Sequence, residues 1–159
     1  MAYIEGAKET GCIFCDKPKE PDRRASLVLG QTAHSIVMLN KYPYNNGHLL
    51  IAPKEHVREF SVLSEEEYAD LGWVLKESVE IVAKALRPGG INLGMNLGRC
   101  AGAGVEDHLH WHVVPRWEGD TNFMPVVGEV RVISQHLAES YDRLSVFFRD
   151  LLHEDDQGH

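Results

Sequence analysis

Cysteine, basic charge and long apolar runs are all scarce in this chain of 159 residues. The 3 cysteines are an odd number and too few for a disulfide framework, which points to a reducing compartment. A total of 16 Lys and Arg against 24 Asp and Glu leaves a formal net charge of −8. No basic stripe offsets it, which argues against nucleic acid as a main partner. No stretch approaches the roughly 18 consecutive apolar residues that cross a bilayer, so no membrane association is expected. The opening residues, MAYIEGAKETG, lack the basic start and apolar centre of a secretory leader, and a cytoplasmic protein is expected. The remainder, 43% hydrophobic and 25% charged, is ordinary globular composition. The length suits a single domain over 1–159, with a core over 12–148, an N-terminal arm over 1–11 and a disordered tail over 153–159.

Residues 34–40 and 48–53, joined by the turn-rich segment 41–47, predict two antiparallel neighbouring strands. Residues 11–16 form a tight knot, 17–24 a charged loop twice interrupted by proline, and 25–30 a short strand. Ser64 followed by Glu65, Glu66 and Glu67 is a capping-box signature. Behind it Tyr68, Leu71, Leu75, Val79, Val82 and Leu86 recur at helical spacing until Pro88-Gly89-Gly90 stops the run. Strands are expected over 91–97, 107–115 and 130–133, a glycine-alanine loop over 98–104, irregular chain over 117–125 and a second helix over 134–152. The sum is an α+β fold, an antiparallel sheet of about five strands with one long helix across a face and a C-terminal helix. Tyr68, Leu71, Trp73 and Leu75 are assigned to the helix core or to a dimer contact.

The chain does have histidine, 9 residues of it, and His108, His110 and His112 alternate with Leu109, Trp111 and Val113. In an extended chain the three imidazoles share one face, each about 7 Å from the next, and the apolar residues share the other. A merely solvated edge strand would be an odd use of the side chain that titrates near neutral pH. Two chemistries stay open: three imidazoles plus water can hold a catalytic metal, or one imidazole can attack phosphorus or a carbonyl with a neighbour as general acid. The loop over 98–104 and Asn40, Asn92 and Asn96 offer an amide-rich pocket suited to polyphosphate oxygens. Cys12 and Cys15 form a C-x-x-C that admits metal or redox chemistry; no βαβ pattern follows, which argues against a thioredoxin-like role. Cys100 reads as a bystander thiol or a site of oxidative inhibition. His34 reads as a rim histidine, and His136, His153 and His159 as solvated. Trp117 suits either base stacking or burial at a subunit contact.

The run from His108 to Val114 resembles the H-φ-H-φ-H-φ-φ signature of the histidine triad (HIT) superfamily of nucleotide hydrolases and transferases. Leu39-Asn40-Lys41-Tyr42-Pro43 with Gly47-His48, Pro53-Lys54-Glu55-His56 and Asn96-Leu97-Gly98 extend the likeness over most of 12–148. Val114-Pro115-Arg116-Trp117 and Gly119-Asp120-Thr121-Asn122-Phe123 are similar to the bacterial diadenosine polyphosphate hydrolase or phosphorylase branch. The resemblance implies a HIT-like fold and a homodimer. It implies His110 as nucleophile on the α-phosphorus, its Nδ1–H on a backbone carbonyl, and His112 as the group that binds and protonates the leaving oxygen. His48 would support the neighbourhood of His110, Asn40 would touch the ribose, and Asn96 an α-phosphate oxygen. Many relatives place Ser or Thr shortly before the triad; this chain has Ala103-Gly104-Val105, so the backbone of Gly104 and Val105 is expected to take that role. Zinc-bearing members pair a C-x-x-C with the histidine of P-K-x-H and the first triad histidine. Here that implies a structural zinc on Cys12, Cys15, His56 and His108.

The expected substrate is a diadenosine polyphosphate. A nucleoside phosphoramidate or adenylyl conjugate is the alternative, and a nucleotide-binding regulator is the alternative of another class. Lys41, Lys54, Arg99 and Arg116 gather by motif and would offset the acidic mean field, which salt screens beyond about 8 Å. A divalent cation escorting the polyphosphate would add to this.

Overall fold

A computed structural model describes residues 11–120 and 133–152, with no account of the side chains at 133–135 and 150–152. Residues 1–10 of the expected arm over 1–11, residues 130–132 of the expected short strand, and the tail with His153 and His159 lie outside the described residues. Strands β1 (Val28–Gln31), β2 (Ser35–Leu39), β3 (Leu49–Pro53), β4 (Gly90–Met95) and β5 (Trp111–Arg116) form one sheet in the order β1-β2-β3-β5-β4. Every pairing is antiparallel. With helices α1 (Ile13–Asp16), α2 (Arg23–Ser26), α3 (Glu65–Leu86) and α4 (Ile133–Leu152) the architecture is α+β.

Period-2 alternation divides the sheet into two faces. Leu29, Val37, Leu39, Leu49, Ile51 and Val113 pack with Leu71, Val74, Ile81 and Val82 of α3 and with Tyr141, Leu144 and Phe148 of α4. The opposite face carries a smaller cluster, Phe14, Val28, Ile36, Met38, Leu50 and Ala52. β2 and β3 are therefore buried on both sides. His112 pairs with Leu50 in register, which places it on the face away from α3.

α3 begins where the capping box predicts. Ser64 Oγ accepts from Glu67 N–H at 3.2 Å and the Glu67 carboxylate accepts from Ser64 N–H at 2.8 Å. Together they satisfy two N–H groups that the first turn leaves without intrahelical partners. Its buried stripe runs through Leu71, Val74, Ser78, Ile81, Val82 and Ala85. Tyr68 and Trp73 lie off it, 55% and 42% exposed, so neither is core.

Two local expectations are corrected. Residues 23–26 are a helical turn, where loop to 24 and strand from 25 were expected, because the Asp22 carboxylate accepts from the Arg24 and Ala25 N–H groups and caps a single turn. Leu27, at φ 64°, ends that turn, and β1 starts one residue later. The histidine strand is shorter than its pattern: ladder pairing starts at Trp111. Ahead of it, Leu109 N–H goes to the Val57 carbonyl at 2.8 Å and the His108 ring takes the Pro53 carbonyl. A side chain thus replaces the ladder where β3 ends.

Candidate active site and metal centre

Each imidazole of the triad has its own hydrogen-bond partner, and the partner fixes which nitrogen is left for chemistry. His110 is 5% exposed, and its Nδ1–H donates to the His108 carbonyl at 2.8 Å. Its Nε2 therefore carries the lone pair. His48, fully buried, accepts the Tyr44 N–H on Nδ1 at 3.1 Å. It must then carry its proton on Nε2, which donates to His112 Nδ1 at 2.9 Å. His112 in turn bears its proton on Nε2. The rings of His110 and His112 lie 4.9 Å apart, closer than the strand rise alone gives, because the side chains lean together. A donor with no acceptor among the described residues, beside a free lone pair, is the arrangement needed to attack one atom and protonate its neighbour.

Burial keeps these rings neutral. It pushes His48 down to about 3, helped by His112 and His110, and His112 down to about 4, helped by His110. Burial also lowers His110, against the opposing pull of the His108 carbonyl. His48 bonds His112, whose ring lies beside that of His110.

His108 turns the other way. Its Nε2–H donates to the Pro53 carbonyl at 2.8 Å, leaving the Nδ1 lone pair directed at Cys12 Sγ (3.2 Å), Cys15 Sγ (3.6 Å) and His56 Nδ1 (3.2 Å). Cys15 Sγ lies 3.3 Å from His56 Nδ1, and all four ligand atoms fall within 4.8 Å of one another. Tetrahedral zinc with ordinary Zn–S and Zn–N bonds separates its ligands by about 3.3–3.8 Å, so the donor set fits such an ion in number, chemistry and spacing. Burial, and then Cys12, push the Cys15 thiol up to about 11. A cation between the two sulfurs reverses that preference.

An apolar cavity of about 240 Å³ opens beside Asn40, walled by Ile13, Leu27, Met38, Leu50 and Leu137. Asn40 Nδ2 lies 3.4 Å from His48 Nδ1, and its Oδ1 accepts the Tyr42 N–H. Asn96 donates to the Gly102 carbonyl at 3.4 Å, and Val105 packs against the smaller apolar cluster. Gly104 faces open space.

The HIT domain family matches residues 23–119 of this sequence. The chain belongs to the HIT family. It is 39% identical over 127 residues to the AP-4-A phosphorylase of Mycobacterium tuberculosis, a match covering 80% of this chain and 65% of that relative. This HIT chain thus spans slightly less than two thirds of the length of that protein. It is 37% identical over 105 residues to the adenosine 5′-monophosphoramidase hnt1 of Schizosaccharomyces pombe, covering 66% of this chain and 74% of the relative. Among solved structures, a Zn-bound histidine triad family protein of Mycobacterium smegmatis superposes with a TM-score of 0.68 at 24% identity, covering 89% of this chain and 95% of that one. That likeness establishes the fold.

Within this HIT fold, His48, His110, His112 and Asn40 come together on the sheet face opposite α3, with Cys12, Cys15, His56 and His108 adjoining. The basic residues expected to gather there are partly neutralised: Arg99 bonds Glu106 at 3.0 Å, and Arg116 lies 3.6 Å from Asp120. His34 Nε2 lies 3.3 Å from the Glu66 carboxylate of α3. No helix among the described residues is long and apolar enough to cross a membrane. Sequence reasoning missed the cavity walls, Phe14 beneath the triad, and Tyr44, whose ring stacks on His48 at 4.9 Å. A signal for the walls existed: SIVML in β2 is apolar at every second position on both faces, which requires cover on both sides.

Proposed function

We propose that this protein is a nucleotidyl-transferring enzyme that cleaves diadenosine polyphosphates at the α-phosphate through a nucleotidyl-histidine intermediate. The observation that carries the reading is the hydrogen-bond chain Tyr44 N–H to His48, His48 Nε2–H to His112, together with the His110 Nδ1–H on the His108 carbonyl. His110 Nε2 attacks the α-phosphorus, forming a P–N bond as the bond to the polyphosphate oxygen breaks. His112 gives its Nε2 proton to the departing oxygen. Water or phosphate then attacks the same phosphorus, the P–N bond breaks, and His112 Nε2 takes the acceptor's proton. The cavity beside Asn40 takes the nucleoside. The Gly104–Val105 backbone and Asn96 line the phosphate path. The 39% identity with an AP-4-A phosphorylase supports both the substrate class and phosphate as acceptor. The likeness to an adenosine 5′-monophosphoramidase supports a phosphoramidate as second substrate class.

Cys12, Cys15, His56 and His108 would hold zinc as a closed four-ligand site, which supplies structure rather than a reactive water. We read the protein as a homodimer. β4 is an edge strand, and Leu93 and Leu97 in and beside it are 49% and 54% exposed.

The deciding experiment is product analysis with diadenosine tetraphosphate, with and without inorganic phosphate, combined with acid quench and mass measurement. Phosphorolysis yields ADP and ATP, hydrolysis AMP and ATP, and both pass through an AMP-sized adduct on His110. His110→Asn loses turnover and adduct. Wild-type turnover without any adduct, or a variant with intact rate, refutes the mechanism.

A further inference from the structure

Cys12-Ile13-Phe14-Cys15 is one tight turn: the N–H groups of Cys15 and Asp16 both return to the Cys12 carbonyl, at 3.0 and 2.9 Å. Its outer residues belong to the metal cluster, with Cys12 and Cys15 Sγ 3.2 and 3.6 Å from His108 Nδ1. Its inner residues belong to the nucleotide side. Ile13 forms part of the wall of the cavity beside Asn40. Phe14, 1% exposed, packs on the rings of His108 and His110 at 4.9 and 5.0 Å. His108 is divided in the same manner: its ring enters the cluster while its carbonyl holds His110 Nδ1–H. A helix of four residues has no stability of its own. Its anchors are the cluster and the small apolar patch around Val28, Ile36, Met38 and Leu50. Two ligands that require the same turn in the same place must each favour the other.

We propose that metal and nucleotide bind with positive coupling through this turn. Metal on the cysteines fixes Ile13 as pocket wall and Phe14 as the backing of His110, and a bound nucleoside holds the turn in its metal-binding geometry. Ile13 and Phe14 are thereby positioning residues, and the metal sets the shape of the nucleotide site as well as fastening the N-terminal turn. The proposal rests on the nucleotide reading above, and its test separates the two.

Zinc release from the loaded protein to a chromophoric chelator is timed with and without saturating AMP. AMP affinity is measured by calorimetry on zinc-loaded and stripped protein. AMP is expected to slow zinc release, and zinc to tighten AMP binding, each about tenfold, a middle value for coupled sites. In Ile13→Ala both effects fall towards unity. Leu137→Ala, which alters the same cavity from α4, weakens AMP binding and keeps the coupling. The release measurement uses loaded protein throughout, so it stands even where stripped protein unfolds. If AMP binds but leaves zinc release unchanged, or the two variants couple alike, the coupling is overturned and the nucleotide reading survives. If loaded protein binds no AMP, both fall. Failure to take up zinc at all also overturns the coupling.

Discussion

Replacing His48 by asparagine and by glutamine separates the two ends of its ring. The amide of asparagine reaches where Nδ1 lies and can still accept the Tyr44 N–H, now 3.1 Å from Nδ1. It cannot reach His112. Glutamine places an amide N–H where Nε2 lies, and so keeps a donor for His112 Nδ1, now 2.9 Å away. His48→Asn therefore strips the group that holds His112 in the tautomer with its proton on Nε2. Leaving a buried polar atom without its partner costs about 1–3 kcal/mol. Expressed in the step that uses this proton, that is about 5- to 160-fold in rate. The assay compares kcat/KM on an adenosine 5′-phosphoramidate, whose amine must leave protonated, with that on a p-nitrophenyl ester of AMP, whose phenolate leaves without a proton. His48→Asn is expected to lose its full factor on the phosphoramidate and little on the ester, and His48→Gln to lose little on either. Equal losses on both substrates, or glutamine as damaging as asparagine, would refute the assignment of His112 as proton donor.

Acid stability follows from the same pair. His48 and His112, pushed down to about 3 and about 4 mainly by burial, stay neutral in the native protein while the unfolded chain binds protons below its ordinary value of 6.5. The unfolded state thus holds more protons as pH falls from 6.5 towards 4, so stability present above 6.5 is lost across that window, by up to about 1.4 kcal/mol per pH unit for buried His48 and by less for half-buried, solvent-screened His112. Urea unfolding from pH 7.5 to 4.5 checks this, and His48→Gln should flatten the slope by one histidine's share. Metal analysis should find about one zinc per chain, and Cys12→Ser should lower the melting temperature by about 10 °C or more while changing the chemical step far less. Protein purified under reducing conditions without zinc would remove the metal reading. Gly47→Ala should cost more than about 1–2 kcal/mol, because Gly47 has φ +75° and an added Cβ would overlap Leu86 Cδ1 beside His48. Gly72→Ala, mid-helix with open space around it, should instead stabilise by about 0.5–1 kcal/mol, and chemical denaturation of the two variants measures both.

Much of the frame is local and was readable as such. The capping box at Ser64 and the Pro88-Gly89-Gly90 stop bracket α3 because both act within a turn of the chain. The β period puts His112 on the face away from α3, while His108 and His110, ahead of the ladder, are held by the Pro53 and His108 carbonyls. Short-range capping also explains what was missed: the strand expected from 25 starts only at Val28, because the Asp22 carboxylate takes the Arg24 and Ala25 N–H groups and caps a helical turn first. Equal spacing, however, does not give equal chemistry. His108 lends Nδ1 to a cysteine cluster because the Pro53 carbonyl claims its Nε2–H. His110 keeps Nε2 free because the His108 carbonyl claims its Nδ1–H. His112 keeps its Nε2–H because His48, 64 residues away, donates to its Nδ1. A histidine's role lies in which nitrogen bears the proton, and that is decided by a partner the fold brings from elsewhere in the chain.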